Sequence, residues 1–278
     1  MIPYVGGKTY TAKWIKSFFP ATKAYVEVFG GSASVLFSEQ KIGNLEVYND
    51  IDKDLHNLFK MLRDKKTSQE FLRRAKWMLH SRADFVESRK IYKELDYNLH
   101  RALSFAHYMC CGRSGKRSGM SFKTNKTPEA LAPLSWQSFL KRIVNIRKRL
   151  ANVIVECLDF NDLIKKYDTP HTFFYCDPPY LNTKGYYCVD WQEQDHKKLA
   201  DVLLNIQGKF MVSYYFSDFI KSLYPGCYFR TKNVPAYVSD TINNKKKTAT
   251  ELLIMNYMPQ AREITIPELL DTNTENII

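Results

Sequence analysis

The sequence predicts an open α/β fold, a mostly parallel sheet interrupted by a basic and mainly helical insertion. Three observations carry that reading. Short apolar runs alternate with amphipathic stretches in both halves of the chain, the pattern of a sheet wound with helices. Two of those runs end in turns that bear chemistry, Phe29-Gly30-Gly31-Ser32 and Asp177-Pro178-Pro179-Tyr180. Between them, residues 57–155 hold 22 Lys and Arg against 7 Asp and Glu, a balance of +15, while the remainder sums to −3. The formal net charge of +12 therefore arises wholly from the middle segment. Such a segment attracts a polyanion, with an affinity that falls steeply as salt rises.

Thr11 to Phe19 reads as the first helix, with Ala12, Ile15 and Phe18-Phe19 on one face. Tyr25 to Phe29 reads as the first strand, then a tight turn at Gly30-Gly31, then a helix opening at Ser32 or Ser34. Glycines there admit a ligand close to the backbone, and a helix start offers free N–H groups. Leu45 to Tyr48 reads as the second strand and ends at Asn49-Asp50. A carboxylate at that strand end can accept hydrogen bonds from ribose hydroxyls, or it can cap the helix that follows.

The insertion, residues 56–152, shows four stripes at helical spacing. They are Leu55, Leu58, Phe59 and Leu62; then Phe71, Leu72, Ala75, Met78 and Leu79; then Leu99, Leu103, Ala106 and Met109; then Trp136 through Ile143 to Leu150. Between the last two stripes runs Cys110 to Lys126, with three glycines, three serines and five basic residues. No Asp or Glu occurs from Tyr97 to Pro128. A loop of this composition is expected to be flexible and to follow a groove. It offers Arg113, Lys116, Arg117, Lys123 and Asn125 to phosphates and base edges. Its Gly-x-x-Gly-Lys-Arg run lacks the spacing of a nucleotide-binding P-loop.

Beyond the insertion, strands are expected at Val153–Cys157, Phe173–Cys176, Phe210–Ser213, Cys227–Arg230 and Glu251–Met255. Helices are expected at Asn161–Tyr167 and Gln194–Asn205, the second turning Leu199, Val202, Leu203 and Ile206 inward. Asp177-Pro178-Pro179-Tyr180 ends the Phe173–Cys176 strand, because two prolines lack the N–H groups a ladder needs. A carboxylate, a stiff carbonyl-bearing backbone and an aromatic ring are thus left at a strand's carboxyl end, where open α/β sheets bind ligands.

At these residues the chain resembles the Dam-type (D12 class) DNA adenine-N6 methyltransferases. Pro3-Tyr4-Val5-Gly6-Gly7-Lys8 is similar to that family's aromatic-x-Gly-Gly-Lys motif, with Tyr where its best-known members carry Trp. Val26 to Ser38 is similar to its Phe-x-Gly-x-Gly cofactor loop, with Ala33 in place of the last glycine. Tyr48-Asn49-Asp50-Ile51 is similar to its acidic strand end, and Asp177 to Tyr180 to its catalytic tetrapeptide. The motifs frame almost the whole chain, short of roughly the last twenty residues, a tail after Pro259 with little character. The resemblance implies a Rossmann-like S-adenosylmethionine-dependent methyltransferase sheet formed by residues 1–55 and 153–278, with residues 56–152 as an inserted target-recognition domain. It implies S-adenosyl-L-methionine as cofactor, bound by Tyr4, Lys8, Phe29, Gly31, Asp50 and Asp177, with Lys8 pairing with the methionine carboxylate. It implies Asp177, Pro178 and Tyr180 as the catalytic residues acting on double-stranded DNA.

An adenine N6 amine is a poor nucleophile, its lone pair being delocalised into the ring. Asp177 and the Pro178 carbonyl can each accept one of its hydrogens and stabilise the positive charge that develops. The base must first be flipped from the duplex, with Tyr180 stacking on its face. A cytosine-N4 methyltransferase, whose amine needs the same two acceptors, and a catalytically silent DNA-binding relative are the alternatives. Ribosomal RNA and protein glutamine methyltransferases usually begin the tetrapeptide with Asn, and Asp177 argues against them.

With 45% hydrophobic and 25% charged residues the chain fits a soluble globular protein. No apolar run is long enough for a membrane span, and no export signal opens the chain, so a cytoplasmic monomer is expected, with a cognate restriction endonuclease as a candidate partner. Six cysteines without a CxxC pair imply no bound metal.

Overall fold

A parallel sheet is stable only when helices cover both of its faces. The computed structural model of this chain, which describes residues 2–8, 10–38, 41–117, 119–124, 133–181, 183, 185–235 and 248–259, has that architecture. Helix α1 (Ala12–Lys16) precedes strand β1 (Ala24–Glu27), and a 3-10 turn (Leu36–Ser38) leads to β2 (Leu45–Asn49). Helices α2 (Lys53–Arg63), α3 (Lys65–Ala75), α4 (Arg82–Glu94), α5 (Leu99–Cys111) and α6 (Leu134–Leu150) follow. Then come β3 (Ile154–Glu156), α7 (Phe160–Tyr167), β4 (Thr172–Cys176), α8 (Glu193–Leu204) and β5 (Lys209–Tyr215). The last described elements are α9 (Asp218–Ser222), β6 (Tyr228–Pro235) and β7 (Thr248–Met255).

The described strands form one sheet in the order β3-β2-β1-β4-β5-β7-β6. Strands β1 to β5 run parallel, and β7 is antiparallel to both β5 and β6. The strand order reverses between β1 and β4, which pair directly, Val26 opposite Phe174. That reversal opens a crevice above their carboxyl ends.

Alternation along the strands divides the core. Tyr25, Phe173 and Tyr175 face one apolar cluster with α1 and helices α2 to α6. Val26, Phe174 and Cys176 face the other, with α7, α8 and α9. The helices between β2 and β3 thus share their core with one face of the sheet. Helix α5 lies at their centre, buried from Ala102 to Cys111. Capping side chains start most of the helices: Asp52, Asp64, Ser81, Asn98 and Asp159 each accept a backbone N–H of the first turn.

Several expectations are corrected. No α-helix opens at Ser32 or Ser34; residues 31–38 make turns and a short 3-10 segment. Gly31 at φ +50 and Ala33 at φ +57 occupy the left-handed region, which a right-handed helix cannot include. Helix α1 stops at Lys16 rather than Phe19. Helix α3 ends at Ala75, leaving Leu79 of the expected stripe exposed. The insertion also contains α4, unforeseen because only Phe85, Ser88 and Tyr92 form its buried face. Among the described residues, no helix is long and apolar enough to cross a membrane.

Candidate active site

The carboxyl ends of β1, β2 and β4, with the N-terminal loop and residues 187–191, enclose a cavity of about 210 Å³. Its floor is the glycine turn after β1. The Gly30 amide donates to the Asn49 carbonyl at 2.8 Å, and the Tyr48 hydroxyl to the Gly31 carbonyl at 2.7 Å. A Cβ on Gly30 would lie 2.1 Å from the Tyr48 ring, so only glycine fits. Ala33 is fully buried, its methyl group absorbed by the core beside α1 and α2.

Asp50 locks this turn to the end of β2. Its Oδ2 accepts the Gly31 amide and its Oδ1 the Asp52 amide, both at 2.8 Å. The residue that caps α2 is Asp52, which takes the Asp54 amide at 2.9 Å. Burial first, and then the charge of Asp52, push the Asp50 carboxyl up to about 6. The Tyr4 hydroxyl donates to Asp52 Oδ2 at 3.0 Å while the residue lines the cavity.

At one end of the cavity three rings pack against one another and form part of its wall. Phe29 lies 5.8 Å from Phe160 and 5.3 Å from Trp191, and the latter two are 5.6 Å apart between centroids. Sequence reasoning found Phe29 and missed the others. Phe160 stands one residue after the Asp159 cap that opens α7, a strand-end acid and ring that could have marked it.

At the other end is Asp177, 15% exposed. Lys8 Nζ lies 3.0 Å from Asp177 Oδ1, and the Ser213 hydroxyl donates to the same oxygen at 2.8 Å. Both contacts fall on Oδ1, and among the described residues no hydrogen bond reaches Oδ2. Lys8 is buried and also lies 3.0 Å from Glu251 Oε1. Its ammonium is therefore held by two carboxylates, not presented openly to a ligand's carboxylate as the resemblance implied. Pro178 and Tyr180 are buried behind the cavity wall. The Tyr180 ring packs edge-on to Tyr215 at 4.7 Å, and its hydroxyl donates to Glu251 at 2.9 Å. A stacking role for Tyr180 finds no open ring face in this conformation; Tyr175 and Tyr187 both border the cavity near Asp177, Tyr187 from the loop beyond it.

Glu27, at the end of β1, was also missed. It borders the cavity, is 2% exposed, and accepts the Tyr25 hydroxyl at 2.7 Å. Burial pushes its carboxyl up to about 8.

The basic loop is more ordered than its composition suggests. A bridge joins Gly112 to Phe122, the Arg113 amide donates to Ser121, and the Lys123 amide to Cys111. The loop also docks on the cavity wall: the Val5 amide donates to the Gly115 carbonyl and the Arg117 amide to that of Tyr186. Arg113 is exposed, its guanidinium bonded to the Thr124 carbonyl. Lys116 Nζ sits 3.8 Å over the Tyr186 ring, and Lys123 Nζ donates to Ser135 at 2.7 Å. Arg117 departs from the expectation: it is 12% exposed and ion-paired to Asp52 at 3.0 Å and Asp54 at 2.6 Å. Two carboxylates hold it inside, so it presents no free guanidinium to a nucleic acid. Arg101 and Arg149 are likewise paired internally, with Asp54 and Glu46. Part of the insertion's positive charge is therefore neutralised by acids that lie outside residues 57–155. Asn125 lies outside the described residues.

Comparison with known proteins agrees with this geometry. Residues 4–239 match the family described as D12 class N6 adenine-specific DNA methyltransferase. The chain is 23% identical over 269 residues to the Type II methyltransferase M.CviBI of Paramecium bursaria Chlorella virus NC1A, covering 92% of this chain and 99% of that protein. It is 25% identical over 267 residues to the Retron Ec67 DNA adenine methylase of Escherichia coli, covering 92% and 90% respectively.

Proposed function

The chain belongs to the D12 class of N6 adenine-specific DNA methyltransferases, and we propose that it draws its methyl group from S-adenosyl-L-methionine and acts on an adenine flipped from a duplex. The residues present fit that donor. The Phe29, Phe160 and Trp191 rings suit a purine, and the Asp50 carboxylate, already anchored by two amides, retains lone pairs for ribose hydroxyls. Gly31 and Tyr4 border the space between that carboxylate and Asp177. When bound, the donor supplies an electrophilic methyl group.

The chain's own residues then act on the amine. Asp177 accepts one N6 hydrogen through Oδ2, which directs the nitrogen lone pair out of the ring plane; the Pro178 carbonyl, behind the cavity wall in this structure, must turn toward the base to accept the other. A nitrogen that has gained a methyl group must lose a proton, and the Asp177 carboxylate is the acceptor within reach. A fixed acceptor such as Asp177 acts without reorganisation, and holding both reactants together contributes the rest of the rate advantage. Tyr187 is the ring we assign to cover the flipped base. Helices α2 to α6 would form the recognition part, with Arg113, Lys116 and Lys123 contacting the duplex.

The observation that carries this reading is Asp177, pinned through one oxygen by Lys8 and Ser213 at the sheet's switch point, with the cavity beside it. Incubating the purified chain with methyl-labelled donor and unmethylated DNA tests it. Label should appear as N6-methyladenine, and Asp177→Ala should abolish incorporation with DNA affinity retained. Incorporation by the variant at the wild-type rate would remove Asp177 from the reaction.

A further inference from the structure

Glu251 begins an apolar run, Leu252-Leu253-Ile254-Met255, and is itself almost fully buried on β7. It is paired in register with Tyr215 of β5 and Lys232 of β6. A carboxylate in that position is costly without a cation. Its Oε1 finds one in Lys8, 3.0 Å away, and accepts the Tyr180 hydroxyl at 2.9 Å. The same ammonium lies 3.0 Å from Asp177 Oδ1. One cation from the N-terminal loop thus bridges a carboxylate at the end of β4 and another on β7.

The stoichiometry matters more than the individual contacts. Lys8 with Asp177 alone would be a neutral pair, and the ammonium would draw electron density from the carboxylate that must accept the amine. With Glu251 the three groups carry a net charge of −1, complementary to a cationic methyl donor and to the positive charge that develops on N6. Burial and the charge of Asp177 both push the Glu251 carboxyl up, while Lys8 and Tyr180 hold it down.

We propose that Glu251 is a positioning residue for methyl transfer: it shares the Lys8 ammonium with Asp177, fixing Asp177 Oδ1 while leaving Oδ2 a strong acceptor for the N6 hydrogen. This rests on the assignment of Asp177 given above. Tyr180, on this view, is a brace for Glu251.

The test uses the full chain as wild type, Glu251→Gln, Lys8→Met and the double variant. In single-turnover transfer to unmethylated DNA, Glu251→Gln should slow the rate by at least about tenfold while binding of S-adenosylhomocysteine and DNA is unchanged, the mark of an interaction realised in the transition state. Chemical unfolding supplies a readout independent of activity. Glu251→Gln should destabilise the wild type yet stabilise the Lys8→Met protein, in which Glu251 is a buried charge without its cation. Should Glu251→Gln fail to fold, Tyr180→Phe removes at nearly constant volume the hydroxyl that donates to Glu251 and accepts from Lys8, loosening the same shared-cation cluster. That variant should be slower with unchanged S-adenosylhomocysteine binding, and a wild-type rate would count against the proposal. An active wild type matched by Glu251→Gln, or an unfolding effect of the same sign in both backgrounds, overturns the role of Glu251 alone. A wild type that transfers no label overturns the reaction itself.

Discussion

Replacing Glu27 with Gln should change how the protein's stability depends on pH. Glu27 sits at the end of β1 with its carboxyl bonded to the Tyr25 hydroxyl, and burial raises its titration from 4.5 to about 8. The Tyr25 hydroxyl and the Leu36 amide oppose that shift, as does the more distant charge of Arg149, while the charge of Asp177 adds to it. An acid whose titration is raised by folding stabilises the protein through its neutral form. That contribution is complete below 4.5 and is lost as pH rises through about 8. Between pH 6 and 8 the folded state keeps a proton that the unfolded state has released, at about 1.4 kcal/mol per pH unit. From pH 6 to pH 9 the wild type should therefore lose roughly 3 kcal/mol relative to Glu27→Gln, because little further change follows once Glu27 ionises near 8. Urea unfolding of both proteins at the two pH values measures the difference, and groups common to both cancel. A cationic donor in the cavity should ionise Glu27, so binding of S-adenosyl-L-methionine near pH 7 should release a proton. Calorimetry in two buffers of different ionisation enthalpy counts it, and Glu27→Gln should show less release. Parallel stability curves between pH 6 and 9 would refute the reasoning.

Asp50→Ala should weaken donor binding by about 1.5–3 kcal/mol, the value of hydrogen bonds to a charged group, as read by calorimetry. Because the Asp50 carboxyl is raised to about 6, wild-type donor affinity should fall as pH drops through that value, and Asp50→Asn should flatten the dependence. Gly30→Ala drives a methyl group into the Tyr48 ring and should lower stability by about 1–3 kcal/mol, visible as a reduced Tm. Arg117→Met leaves the buried Asp52 without a cation and Asp54 with Arg101 alone, and should cost about 3–5 kcal/mol of stability in denaturant unfolding. Arg113→Ala, at an exposed position, should leave stability within about 0.5 kcal/mol and weaken DNA binding in a salt-titrated assay. A stable Arg117→Met protein with only its DNA affinity reduced would return Arg117 to the recognition surface.

Much of the fold was legible because local pattern and tertiary demand coincide. The apolar runs that became β1, β2, β4 and β5 were identifiable from composition, and the switch point falls where the glycine turn and Asp177-Pro178-Pro179-Tyr180 stand. Features set by long-range partners were not legible. The left-handed Ala33 that prevents a helix is a backbone property of the loop. Arg117 looked like its basic neighbours until Asp52 and Asp54, more than sixty positions earlier, enclosed it.

One signal was present and informative. Glu27, Glu46 and Glu251 each place a carboxylate in an otherwise apolar strand, and each is almost completely buried. Since a buried carboxylate needs a cation or a proton, each raises the question of what compensates it. Glu46 is answered by the two-pronged guanidinium of Arg149, a structural pair that ties α6 to β2. Glu251 is answered by Lys8, the cation it shares with Asp177. Glu27 has no ammonium or guanidinium in ion-pair reach among the described residues, and it is the one that borders the cavity beside Asp177. The cation it lacks within the fold is the charge that a sulfonium donor would bring.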